Sequence, residues 1–147
     1  SASLATAAFT EITGLTAAIT PSSTSSKILA MVNVYGGNGL ANRYATFALK
    51  LQRGSTDIGL GDADGAKTRV TAHTQDSFDS DGNADTLTFQ FLDSPSTTAS
   101  TTYSVEIGNV AATTATGTFY VNRSASTADN ARTARPASTI TLMEVAG

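Results

Sequence analysis

The chain has no cysteine, no tryptophan and one histidine in 147 residues. Without cysteine there are no disulfides and no thiolate metal sites, so the fold does not depend on the redox state of its compartment. Any Ser–His–acid triad would have to use His73. Serine and aspartate are abundant throughout and no GxSxG elbow occurs, so His73 reads as a polar strand residue. The only glutamates are Glu11, Glu106 and Glu144, and none has a partner at a spacing that suggests a glycosidase pair. No catalytic residue, no cofactor and no enzymatic activity are expected.

Charge is scarce too. Asp, Glu, Lys and Arg make up 14% of the chain, against roughly 25% in an average soluble domain; Ser, Thr and Ala fill the gap. A polar but weakly charged surface gives up little solvation when it packs against another subunit. That suits an assembly component, and it also suits a secreted module. The net charge of −3, with no basic stripe and no interleaved aromatics, argues against a nucleic-acid partner. No apolar run approaches the ~18 residues of a membrane-spanning helix, so no membrane partner is expected. The opening SASLATAAF lacks the positive n-region of a signal peptide. Its small residues are what removal of an initiator Met leaves, so a complete small gene product is the expectation.

What the chain does have is period-two alternation, the mark of strands with one buried and one wet face. The stretch Asp85–Gly108 holds the clearest pair. Leu87, Phe89 and Phe91 share one face, and Tyr103, Val105 and Ile107 share another; Pro95 breaks the link between them. Upstream, Phe9–Thr13 reads as a short strand turned by Gly14-Leu15, and Ser22–Ser26 as a loop. Lys27–Tyr35 is apolar on both faces, with Ile28, Ala30, Val32 and Val34 on one and Leu29 and Met31 on the other. Such a strand lies inside a sheet or covers a subunit contact. Gly36–Gly39 is expected to end it.

Tyr44–Gln52 places Phe47, Leu49 and Leu51 inward, turns at Arg53–Thr56 and returns along Asp57–Leu60. Arg69–Phe78 reads as an edge strand, Thr118–Asn122 as a further strand, and Thr139–Val145 as the last, with Ile140 and Leu142 opposite Thr141, Met143 and Val145. No helical period and no internal repeat occur. One all-β domain over residues 1–147 follows: an antiparallel β-sandwich with no substantial helix. A jelly roll, with the first and last strands near each other in one sheet, fits best. At this length a single core buries roughly 68–70% of the unfolded surface.

Two stretches invite a functional reading. In Asp79–Asp85, the side chains of Asp79, Asp81, Asn83 and Asp85 could converge on Ca²⁺. An EF-hand loop places Gly sixth and Glu twelfth; here Gly82 is fourth and Gln90 is twelfth, and Asp-Gly-Asn is an ordinary turn. No metal is therefore assigned. Asp62–Gly65 is a weaker version of the same pattern. The second stretch, Arg123–Pro136, is long, unpatterned and mildly basic, a loop or an arm that orders against a neighbouring subunit. The formal sequon Asn122-Arg123-Ser124 carries no weight outside a eukaryotic secreted protein.

With AFTEITGLTAAITPSSTSSKILAMVNV, FALKLQRGSTDIGLG, FLDSPSTTASTTYSVEIGN, TFYVNRS and STITLMEVAG in view, the chain resembles the small jelly-roll virion proteins of tailed bacteriophages, over nearly its whole length. The resemblance implies a jelly roll of tumour necrosis factor (TNF) type. It also implies a homotrimer packed around a three-fold axis, made in the host cytoplasm and residing on the virion as a capsid decoration (cement) protein. Its partners would be itself and the major capsid protein. The contact candidates are Ile28, Met31 and Val34 of the doubly apolar strand, Met143 of the last strand, and Arg123, Arg132 and Arg135 of the arm. The alternative is a tail-fibre or tail-tip domain binding a host surface glycan or receptor. There the loops Gly36–Arg43 and Gly61–Lys67 would recognise it, through Asn38, Asn42 and the adjoining Tyr44.

Overall fold

The computed structural model describes residues 2–4, 8–38, 47–74, 84–110, 117–126, 128 and 133–147. The described residues form ten strands and no helix. They are β1 (Ala2–Leu4), β2 (Phe9–Ile19), β3 (Lys27–Asn38), β4 (Phe47–Arg53), β5 (Thr56–Ile58), β6 (Ala72–Thr74), β7 (Asp85–Asp93), β8 (Thr101–Asn109), β9 (Gly117–Val121) and β10 (Thr139–Val145).

They make two sheets, antiparallel throughout. In the first, β3 is central: β7 lies along one side, while β10 and then β9 follow one another along the other, with β1 outside β9. In the second, β8 sits between β2 and β4, and β5 and β6 share the far side of β4. The last strand lies in the first sheet and the strand beginning at Phe9 in the second, so those two do not pair as the sequence suggested.

The strands form because their apolar residues alternate, and the sheets stack because each presents one such face. Ile28, Ala30, Val32, Val34 and Phe119 come from the first sheet; Phe47, Leu49, Leu51, Tyr103, Val105 and Ile107 come from the second. All are closed to solvent. Leu87, Phe89, Phe91, Ile140 and Leu142 flank this core half-buried. Phe47 and Phe119 meet across the sheets with ring centroids 4.5 Å apart and planes tilted by 48°, the inclined geometry aromatic pairs prefer.

Two glycines act differently from the sequence expectation. Gly14 does not end the first long strand. It sits at φ +85° inside β2, where the residues between Glu11 and Thr16 all oppose the single Val105 of β8. This bulge brings both Ile12 and Leu15 inward, although their spacing of three breaks the period of two. Gly36 likewise does not start a loop: β3 continues to Asn38. Its role is close packing, since a Cβ there would lie 2.5 Å from the Phe119 ring and from the Tyr120 carbonyl.

The strand expected over Arg69–Phe78 is shorter among the described residues. Only Ala72–Thr74 pairs, at the edge of β4, and residues 75–78 lie outside the described residues.

Candidate interaction face

The outer faces of the two sheets differ in chemistry. On the second sheet, Glu11, Glu106 and Lys50 stand in one cross-strand row. Lys50 Nζ pairs with Asp57 at 2.6 Å and lies 4.4 Å from the centroid of the Phe9 ring. Burial, the Asp57 charge and the facing Glu11 hold the Glu106 carboxyl above its usual range, against the pull of Lys50. With the folded value raised, the stability held by protonated Glu106 is complete below the unfolded value, about 4.3, and is lost as pH rises through the folded one. Glu106→Gln should therefore be more stable than the wild type at neutral pH, by ~0.5 kcal/mol, because directly opposed like charges are removed. Urea unfolding across the acid range checks this; a variant as pH-dependent as the wild type would refute the assignment.

Across its three main strands, the outer face of the first sheet carries one charge, Lys27, at the very start of β3 opposite Val145. Register sets the uncharged rows beyond it. Met143, Leu29 and Leu92 stand side by side across β10, β3 and β7; next come Thr141, Met31 and Gln90; then Thr139, Asn33 and Thr88. Thr88 Oγ1 donates to Asn33 Oδ1 at 3.0 Å. The second and third rows border an open depression of about 520 Å³. The large apolar side chains left most exposed among the described residues are Leu92 (46%), Met143 (48%) and Val145 (37%). All three lie on this face, toward one end of it. Exposed apolar side chains gathered on one face of an otherwise polar protein make it the candidate interaction face.

The sequence-predicted contact residues divide. Met31 and Met143 stand on this face. Ile28 and Val34 do not: alternation turns both into the core with no exposed surface, so neither can touch a partner. Leu29, which the sequence places on the second face of that strand, and Leu92 and Val145, which it does not single out, stand beside Met31 and Met143 on this face.

Arg123 stacks 3.9 Å from the centroid of the Tyr120 ring, and its Nη1 donates to the Ser124 and Ala125 carbonyls, so it is committed within its own loop. The two ends of that loop are tied together on Tyr35. Asn122 N donates to Tyr35 O, Ser138 Oγ accepts from Tyr35 N, and Ser138 N donates to Asn122 Oδ1, at 2.9, 3.0 and 2.8 Å. Arg135 is exposed, and Arg132 lies outside the described residues.

Of the metal candidates, Asp79, Asp81 and Asn83 also lie outside the described residues. Asp85 accepts from Thr86 N at 2.7 Å and Thr74 Oγ1 at 3.2 Å, the pattern of a strand-start cap. Asp64 pairs with Lys67 across a turn. Among the described residues no three metal-ligating side chains converge. His73 is exposed on β6, opposite Ala48. Of the loops suggested for glycan recognition, Gly61–Lys67 is exposed along its length, while Asn42 and Tyr44 lie outside the described residues.

The structure also holds a buried polar cluster that the strand pattern does not announce. Tyr103 Oη donates to Asp93 Oδ2 at 2.7 Å, and Arg53 Nη1 donates to both Asp93 oxygens at 3.0 and 2.9 Å. It joins β7 of one sheet to β4 and β8 of the other. A sequence signal for it exists. Continuing the inward periods Phe47-Leu49-Leu51 and Leu87-Phe89-Phe91 by one step reaches Arg53 and Asp93. Two opposite charges turned inward at strand ends need each other. Another tie holds the loop before β3: Ser22 N and Oγ donate to Glu144 Oε1 at 2.7 and 2.6 Å. The Ser22 hydroxyl first, then the Ser26 hydroxyl and the Ser22 amide, hold Glu144 below the usual carboxylate range.

No family model matches the chain, and no curated protein matches it.

Proposed function

We propose that this chain is a tailed-bacteriophage capsid decoration protein, a homotrimer that binds the outer surface of the head and stabilises the junctions between capsomers. The observation that carries the reading is the outer face of the first sheet. Apart from Lys27 at its end it is uncharged across β10, β3 and β7, and it bears Leu92, Met143 and Val145 exposed together. A face of that chemistry loses little on desolvation and gains from burial, which suits contact between copies. The strand order supports a jelly roll. The chain crosses between sheets from β1 to β2, β2 to β3, β3 to β4, β6 to β7, β7 to β8 and β8 to β9, the to-and-fro winding that doubles a sheet on itself. The resemblance in sequence adds the phage setting.

The mechanism is passive. Each trimer touches several capsid subunits at once, and linked weak contacts add to a strong hold against the outward pressure of packaged DNA.

Light scattering after size exclusion should give three times the chain mass of 15.0 kDa at micromolar concentration. The double variant Leu92→Asp, Met143→Asp should run as a monomer with an unchanged circular dichroism spectrum, because carboxylates buried in the contact would be unpaired. A monomeric wild type refutes the trimer. Electron cryomicroscopy of the virion tests the location, and density confined to the tail overturns the decoration role.

A further inference from the structure

At one end of the sandwich, the tight turn between β4 and β5 meets the start of β8 through a bond from Gly54 N to Thr102 O at 2.8 Å, beside the connection from β7 to β8. Between them lies an open hollow of about 390 Å³, lined by Arg53, Pro95, Thr97, Ser100, Thr101 and Thr102. It lies outside the loops that the sequence suggests for recognition.

Arg53 gives the hollow its chemistry. A single nitrogen, Nη1, makes every bond to Asp93 and also reaches Ser94 O at 3.4 Å. The guanidinium thus approaches Asp93 end-on rather than as a fork. Among the described residues, Nε and Nη2 have no acceptor, and the side chain is 32% exposed. Its outward N–H groups are fixed donors with no lone pair, suited to a group that only accepts. Asp93, the counter-ion, is buried behind it and already holds Tyr103. The pair is neutral in sum, so what the hollow offers a ligand is directed N–H donors rather than net charge, and one planar carboxylate can take both.

Around Arg53 the lining bears hydroxyls and no further charge. Thr97 Oγ1 accepts from Ala99 N at 3.0 Å, and Thr101 Oγ1 donates to Ala99 O at 3.1 Å. This leaves Thr97 with a free O–H and Thr101 with free lone pairs. The Ser100 and Thr102 hydroxyls have no partner among the described residues. Pro95 supplies an apolar wall. We propose that this hollow binds an acidic sugar, its carboxylate on Nε and Nη2 of Arg53 and its ring hydroxyls on Ser100 and Thr101. The proposal does not depend on the assembly reading.

The test is a titration of the ¹⁵N-labelled full chain with glucuronate, followed by amide and Arg Nε–H shifts, with acetate and glucose as parallel arms. Glucuronate should shift Gly54, Thr97, Ser100, Thr101, Thr102 and Arg53 Nε–H along one saturable curve with a millimolar dissociation constant. Acetate should move the same signals at least threefold more weakly, and glucose should leave them in place. Ser100→Ala and Thr101→Val leave the Arg53–Asp93 pair intact and should each weaken glucuronate about threefold. Arg53→Lys should weaken it about tenfold. No saturable shift with glucuronate overturns the site, even if Arg53→Lys does not fold. Acetate binding as tightly as glucuronate overturns the sugar assignment, as does full affinity in both hydroxyl variants.

Discussion

Asp93→Ala should lower the melting temperature by roughly 6–12 °C, the size expected for a loss of about 3 kcal/mol in a domain of this length. Two effects add. The Tyr103 hydroxyl, in a side chain closed to solvent, loses its acceptor, and an orphaned buried donor costs about 1–3 kcal/mol. Arg53 loses its counter-ion, but it is part-exposed, so its share falls well below the 3–5 kcal/mol of a fully buried broken pair. Tyr103→Phe should cost about 1.5–3 kcal/mol alone and almost nothing in the Asp93→Ala background, because the two act on one bond. A double-mutant cycle by urea unfolding measures this, and additive losses would show that the Tyr103–Asp93 bond contributes nothing to stability.

The same pair makes a prediction at high pH. Burial, followed by the bond to Asp93, holds the Tyr103 phenol well above its usual range. A raised folded value means that this stability is complete below the unfolded value, about 10, and is lost as pH rises beyond it. Tyr103→Phe should remove this contribution to alkaline destabilisation.

Gly36→Ala should cost about 3 kcal/mol, at the upper end of ordinary overpacking. The added methyl meets two obstacles with no room to move. One is the Phe119 ring, closed to solvent and stacked against Phe47. The other is the Tyr120 carbonyl, part of the backbone that pairs with Gly37. Relief requires β9 to move off β3, so amide exchange should quicken in Gly117–Val121 more than in β7 on the other side of β3. Wild-type stability for Gly36→Ala would mean that this end of the sheet is loosely packed. Gly14→Ala offers a contrast, since nothing lies within 4 Å of a Cβ there and only the positive φ resists, costing about 1–2 kcal/mol.

Most inner faces are legible in the sequence itself. Ile28 to Val34, Phe47 to Leu51, Leu87 to Phe91 and Tyr103 to Ile107 place their apolar residues at a period of two, and these face the core because a pleated strand turns alternate side chains to one side, although Ala48 and Ser104 on the other face are buried too. The rule fails where the backbone departs from the pleat. In β2, the bulge around Gly14 sets Ile12 and Leu15 on the same side, and an alternating pattern cannot represent the extra residues. It also fails at strand ends, where Arg53 and Asp93 read as turn and link although each takes the next inward position.

Sequence alone determined the all-β class, most of the strands and, in those with an unbroken pleat, which side chains share a face, because alternation is a local property of the extended backbone. Beyond the β4–β5 hairpin, it did not determine which strands are neighbours. Leu29, Leu92 and Met143 are far apart along the chain, and only the pairing of β3 with β7 and β10, in the observed register, makes them one row. Shifting either partner by one residue would turn its apolar side chains to the opposite face. Pairing likewise gathers Glu11, Glu106 and Lys50 on the second sheet and leaves Lys27 as the one charge on the outer face of β10, β3 and β7. Which surface is available to a partner is thus a property of register and sheet order, set by long-range pairing.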